Sequence, residues 1–133
     1  MSRAFVDTSA VLALLNPGDA GHRQARNGFA SLRPRDSGLV SSSYVLVETY
    51  ALLGRRLGAE AVRSFRSGFE PLLRVVWVDE TLHEAGLDRL LAGGTGRISL
   101  VDAVSFAVMR RERIEEAFAL DGRVEKEGFK PVA

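Results

Sequence analysis

The sequence contains no cysteine, which excludes disulfides and thiolate metal sites. Any metal would need oxygen or imidazole ligands, and His22 and His83 are the only two histidines. Excess charge is missing too: 18 basic residues face 17 acidic ones, a formal net charge of +1, so bulk electrostatics do not announce a nucleic-acid binder. Lysine is nearly absent, with Lys126 and Lys130 beside sixteen arginines. Arginine favours bidentate phosphate contacts, although genome composition produces the same bias. No long hydrophobic run occurs. The most apolar segment, Tyr44 to Leu53, is interrupted by Glu48 and is too short to span a bilayer. Near the N-terminus Asp7 breaks the apolar stretch before a signal-peptide core forms. These absences lead us to expect a cytoplasmic protein. Motifs of several common chemistries are also lacking: there is no G-x-x-x-x-G-K-[ST] phosphate loop and no G-x-S-x-G elbow.

What remains is a chain of 133 residues, the size of one domain, expected over 1–133. Short apolar runs alternate with helical patterns. Arg3 to Val6 reads as a strand and Thr8 to Leu15 as a helix, with Thr8 or Ser9 as its cap. A second helix is expected over His22 to Leu32, a loop over Arg33 to Gly38 and a second strand at Leu39-Val40. Ser41-Ser42-Ser43 offers caps for a helix from Tyr44 to Leu57, which Gly58 ends. Ala59 to Leu73 reads as one further helix. Val75-Val76-Trp77-Val78 is continuous and apolar, as central parallel strands are, so Trp77 is expected in the core. Helices over Thr81 to Ala92 and Leu100 to Arg111 flank the loop Gly93-Gly94-Thr95-Gly96, and Ser99-Leu100-Val101-Asp102 has the form of a capping box. Ala117 to Leu120 is a fourth strand, and Gly128 to Val132 carries a short edge strand. The alternation predicts an α/β fold: a three-layer α/β/α sandwich around a central parallel sheet of four to five strands.

Four acids stand in places that surface solvation does not explain. Asp7 ends the first strand. Glu48 has Tyr44, Val45, Ala51 and Leu52 as helical neighbours, which places a carboxylate on an apolar face. Asp102 lies in the first turn of its helix, and Asp121 ends the fourth strand before Gly122. Each has an ordinary explanation alone: helix capping for Asp7, a buried salt bridge for Glu48, dipole complementation for Asp102 and a turn for Asp121. Together they suggest a site. Acids at the carboxyl ends of parallel strands share one edge of the sheet, and the helices that follow start at that edge. A single carboxylate pair at 4 Å costs roughly 4 kcal/mol at an intermediate dielectric. With no lysine or histidine near these positions in sequence, a divalent metal is the natural counter-charge, and all-oxygen ligation suits Mg²⁺ or Mn²⁺. Such ions most often handle phosphoryl groups by activating water.

These blocks carry a family resemblance. Phe5-Val6-Asp7-Thr8-Ser9-Ala10, Val47-Glu48-Thr49, Ser99 through Met109, and Ala119-Leu120-Asp121 through Gly128-Phe129 resemble the PIN-domain ribonucleases, and among them the VapC-like toxins of bacterial toxin–antitoxin pairs. The resemblance spans essentially the whole chain. It implies Mg²⁺- or Mn²⁺-dependent cleavage of RNA, with Asp7, Glu48, Asp102 and Asp121 as catalytic and metal-binding acids and Thr8 or Ser9 in support. It also implies a homodimer and a small antitoxin partner that inserts into the cleft. The chain departs from the family pattern at the last acid. Where Thr often stands two residues before it and an aromatic three after, this sequence has Ala119 and Val124.

Candidate phosphate contacts are Arg55-Arg56 and Arg110-Arg111-Glu112-Arg113. His22 and His83 sit in polar stretches and are expected at the surface. Three alternatives are separable by experiment: a housekeeping RNA-processing nuclease, a non-catalytic RNA- or protein-binding module on the same fold, and a phospho-acceptor signalling domain. The last would want paired acids near the N-terminus and a lysine after a late strand; Phe5-Val6-Asp7 carries one acid, and Lys126 and Lys130 are poorly placed.

Overall fold

The computed structural model describes residues 3–34, 38–94 and 97–132. Parts of both expected loops, Arg35 to Ser37 and Thr95-Gly96, lie outside them. In chain order the elements are β1 (Ala4–Val6), α1 (Thr8–Leu15), α2 (His22–Leu32), β2 (Leu39–Ser42), α3 (Ser43–Leu57) and α4 (Ala59–Ser64). A π-turn (Phe65–Phe69) and a 3₁₀ turn (Glu70–Leu72) lead into β3 (Leu73–Val76). Then follow α5 (Glu80–Ala92), α6 (Leu100–Glu112), β4 (Glu116–Phe118), α7 (Arg123–Lys126) and β5 (Lys130–Pro131).

The five strands form one sheet in the order β3-β2-β1-β4-β5. Every pairing is parallel, with Phe5 opposite Val40 on one side and Ala117 on the other. β1 is central, and all three of its residues are buried. Their side chains alternate between two faces, as strand geometry requires. Ala4 and Val6 enter one core with Ala10, Leu32, Leu53, Phe65 and Phe118. Phe5 enters the other with Leu82, Val104, Phe106 and Ala117. Helices α1 and α2 cover the first face and α5 and α6 the second, which makes the three-layer sandwich. Gly86 of α5 is what lets the outer pair approach: a Cβ there would stand 2.4 Å from Val104 Cγ2 and 3.2 Å from its backbone.

Two expectations are corrected. The run at Val75–Val78 is not a central strand. β3 begins earlier, at Leu73, ends at Val76 and lies at the sheet edge. Beyond it the Val78 N–H turns back to donate to Ser43 Oγ at 2.9 Å. That turn leaves Trp77 73 % exposed instead of buried. The segment from Ala59 to Leu73 is not one helix either. The Glu70 N–H reaches back five residues to the Phe65 carbonyl, and Pro71 lies in the 3₁₀ turn that the Leu73 N–H closes on the Glu70 carbonyl. The widened turn brings Phe65 and Phe69 onto the same core, their ring centroids 5.9 Å apart, with Phe69 5.3 Å from Phe29.

Candidate active site at the carboxyl edge of the sheet

Asp7 leaves β1 with its N–H still bonded to the Phe118 carbonyl at 3.0 Å. Its backbone stays extended, and it caps α1: Oδ2 accepts the Ser9 N–H at 3.1 Å and the Ser9 hydroxyl at 2.7 Å. The cap is therefore Asp7, not Thr8 or Ser9 as expected. Ser9 does something else. Its oxygen also accepts the Leu120 N–H at 3.1 Å, so one hydroxyl links the acid after β1 to the chain leaving β4. The Thr8 hydroxyl points away from the acids, pairing with Thr49 Oγ1 at 3.0 Å and lying 3.4 Å from the Val45 carbonyl. It braces α1 against α3.

Asp102 is buried at the start of α6. The capping box forms: the Asp102 N–H donates to Ser99 Oγ at 3.1 Å, and Asp102 Oδ2 accepts the Ser99 N–H at 2.9 Å. Asp121 lies in the bend after β4 and is exposed, followed by Gly122 at φ +78°. Glu48 is half-buried on α3 and has no hydrogen bond or ion pair with any described residue. The buried salt bridge considered for it does not form. The apolar face of α3 is made instead by Val45, Leu46 and Leu53.

All four acids line one cleft of about 240 Å³, together with Arg56 and Arg123. They share a hollow, but they are not already gathered around a single point. Among the described residues no three acids stand close enough to ligate one ion as placed. The reason is local. Asp7 Oδ2 is turned to Ser9, and Asp102 Oδ2 to Ser99. Arg123 Nη1 stands 3.1 Å from Asp102 Oδ2 and 3.4 Å from Asp121 Oδ2. Sequence reasoning missed Arg123. The cation sits two residues after Asp121, a local signal that lysine and histidine positions alone do not reveal.

Burial dominates the electrostatics at Asp7. Burial pushes the Asp7 carboxyl up to about 6; the Ser9 hydrogen bonds oppose the rise, and the neighbouring Asp121 and Asp102 add to it. A divalent cation would relieve this strain, and carboxylate oxygens are the hard donors that Mg²⁺ and Mn²⁺ prefer. In the hydrogen bonds of the described residues Asp7 and Asp102 use Oδ2, leaving Oδ1 for a ligand. The donor set fits an oxygen-ligated metal, with rotation of the side chains needed to close it.

The family model for the PIN domain matches residues 4–130. The chain belongs to the PIN-domain family. This PIN domain is 40 % identical over 126 residues to the 23S rRNA-specific endonuclease VapC20 of Mycobacterium tuberculosis, an alignment covering 94 % of each chain. The crystal structure of that protein, a sarcin-ricin loop cleaving toxin, superposes with a TM-score of 0.85 at 38 % identity, covering 96 % of both chains. The chain is thus a homologue of a ribonuclease toxin. At fold level it also matches a toxin–antitoxin complex from Klebsiella pneumoniae (TM-score 0.69, 15 % identity, 98 % and 96 % covered). VapBC2 from Rickettsia felis, bound to a DNA fragment from its promoter, matches likewise (TM-score 0.71, 14 % identity, 97 % and 96 % covered).

The remaining candidates are distributed as follows. Arg56 reaches the cleft wall. Arg110 is paired with Glu127 at 3.0 Å and Arg111 with Asp79 at 3.3 Å. Glu112 binds Arg3 and Arg74. The histidines are half-buried and engaged: His22 Nδ1 lies 2.8 Å from the Ala13 carbonyl and His83 Nδ1 2.6 Å from the Tyr44 hydroxyl. No helix among the described residues is long and apolar enough to cross a membrane.

Proposed function

We propose that this chain is a single-domain, divalent-metal-dependent endoribonuclease that hydrolyses RNA phosphodiester bonds and acts as the toxin of a toxin–antitoxin pair. The observation that carries the reading is the shared cleft. Asp7, Glu48, Asp102 and Asp121, spread over more than a hundred residues of chain, line one hollow at the sheet edge where parallel α/β folds bind ligands. These four acids are the proposed ligands of Mg²⁺ or Mn²⁺. When bound, such an ion activates water, polarises the scissile phosphate and stabilises the leaving oxygen.

The chain's own residues prepare that site. Ser9 fixes one oxygen of Asp7 by two hydrogen bonds and leaves the other available to a ligand. The capping box holds Asp102 by one oxygen at the start of α6. The Thr8–Thr49 contact sets the spacing between α1 and the helix that carries Glu48. Glu48 lines the cleft with no hydrogen-bond or ion-pair partner among the described residues, and its carboxylate is available to an incoming cation. Arg56, two turns along α3 from Glu48, also lines the cleft and offers a fork to the RNA backbone.

The identity to VapC20, whose name specifies 23S rRNA, supports large ribosomal RNA as the substrate class. The toxin–antitoxin complexes among the structural neighbours support a small antitoxin as partner. We include the homodimer in the proposal as the expected state of a family member. The test is cleavage of an RNA carrying the sarcin-ricin loop by purified protein, with Mg²⁺, Mn²⁺ or EDTA. Cleavage is expected only with metal and is expected to vanish in Asp7→Asn and Asp102→Asn. Undiminished cleavage by either variant, or in EDTA, would overturn the assignment. Growth arrest on induction of the wild-type chain, absent with Asp7→Asn, tests the toxin role separately.

A further inference from the structure

The acidic cleft shares a wall with a second cavity of opposite character. Arg123 lines both. The second cavity, also about 240 Å³, is walled by Arg89, Arg97, Arg123 and Lys126, with Asp121 and Glu127 beside them. Glu127 contributes no free negative charge. Its oxygens are held by Arg89 at 2.7 Å through two nitrogens and by Arg110 at 3.0 Å. Arg97 and Lys126 form no ion pair with any described residue. A cation-seeking cleft and an anion-seeking pocket therefore adjoin, with one guanidinium at the boundary.

That guanidinium is loosely held. A single nitrogen, Nη1, is divided between Asp102 and Asp121 at 3.1 and 3.4 Å. This is not the two-pronged pairing that makes arginine–carboxylate contacts strong, and the Arg123 side chain is 44 % exposed. Its backbone is fixed by the Arg123 N–H donating to Asp121 Oδ1 at 3.2 Å and by the buried Val124 that follows. The anchor is firm and the head is free to move. A divalent cation that ligates Asp102 and Asp121 comes to the same two carboxylates that Arg123 now contacts, and its charge repels the guanidinium.

We propose that Arg123 is a displaceable counter-ion of the cleft. It competes with the divalent cation for Asp102 and Asp121. Once displaced, it swings into the adjoining basic pocket, where with Arg97 and Lys126 it binds a phosphate of the RNA next to the one being cut. The proposal rests on the nuclease reading for the identity of that anion; the competition itself can be measured without RNA.

The test is calorimetric titration of Mn²⁺ into the full chain and its Arg123→Ala, Arg123→Gln and Arg123→Lys variants, each checked for folding by circular dichroism. Removing the competitor is expected to tighten Mn²⁺ binding about three- to tenfold in Ala and Gln, with Lys close to wild type. Anisotropy with an RNA oligonucleotide, in an Asp7→Asn background that prevents cutting, is expected to show about tenfold weaker binding for Arg97→Ala, Lys126→Ala and Arg123→Ala. Each should also lower the salt slope by roughly one. A folded Arg123→Ala or Arg123→Gln chain with unchanged or weaker Mn²⁺ affinity overturns the competition. Unchanged RNA affinity in all three alanine variants overturns the phosphate pocket. A wild-type chain that binds Mn²⁺ but cuts no RNA refutes the nuclease reading and leaves the competition standing; one that takes up no Mn²⁺ ends both.

Discussion

Asp7 pays for its position in protonation. An aspartate in water titrates near about 4, and here burial holds the folded carboxyl at about 6. Between those values the folded chain binds a proton that the unfolded chain has released, so stability falls as pH rises through that window and is level above it. A shift of about two units corresponds to roughly 3 kcal/mol. Asp7→Asn keeps a cap oxygen for Ser9 and removes the charge. In EDTA we expect its stability to match wild type near pH 4 and to exceed it by up to about 3 kcal/mol by pH 7–8. Thermal melts across pH measure this, and a variant less stable than wild type at pH 8 contradicts it. Metal uptake should weaken as pH falls through about 6, since the ligand must lose its proton first. The importance of Asp7 was legible because an acid directly after a buried strand is conspicuous. The role of Ser9 was not: its second bond, to Leu120, joins residues 111 apart in sequence, and no local pattern encodes such a pairing. Glu48 was misjudged in one respect. Helical spacing gave its neighbours correctly but not which of them face the core.

Among the elements, α6 was the most readable. The Ser99–Asp102 box and the apolar face behind it appear as expected. Ser99→Ala should cost about 1 kcal/mol as a lost cap. Because the same contact orients Asp102, it should also lower metal affinity, which Arg111→Ala on the distant end of the helix should not. The α5–α6 seam depends on Gly86. Its replacement by alanine would drive a methyl into Val104 at 2.4 Å, and we expect destabilisation of about 1–3 kcal/mol by overpacking. A denaturant midpoint equal to wild type would show that α5 can slide to accommodate it. The segment from Ala59 to Leu73 reads as one helix because its apolar residues keep helical spacing across Gly68 and Pro71. What breaks it is the demand that Phe65 and Phe69 reach the same core, together with Pro71.

At the scale of the molecule, the alternation of strands and helices was sufficient for the three-layer architecture, but strand order lies outside what periodicity reports. That is why a β-branched run expected in the centre turned out to border the sheet. Trp77 is the only tryptophan, so its exposure has an optical signature. The dilute protein should show the emission of a water-exposed indole, readily quenched by iodide. Trp77→Ser should shift stability by no more than about 0.5 kcal/mol. A blue-shifted, unquenched emission that reverts on dilution would show instead that self-association covers this surface, and sedimentation would then report the expected dimer.

The far border of the sheet has its own consequence. Along β5 the N–H groups of Lys130 and Val132 point inward, to the carbonyls of Glu115 and Ala117. The outward-facing position between them is Pro131, which has no N–H to offer. That margin is closed to another chain's carbonyls, and Arg74 puts a charge on the opposite one. Copies of this protein are thereby steered away from stacking into continuous ribbons.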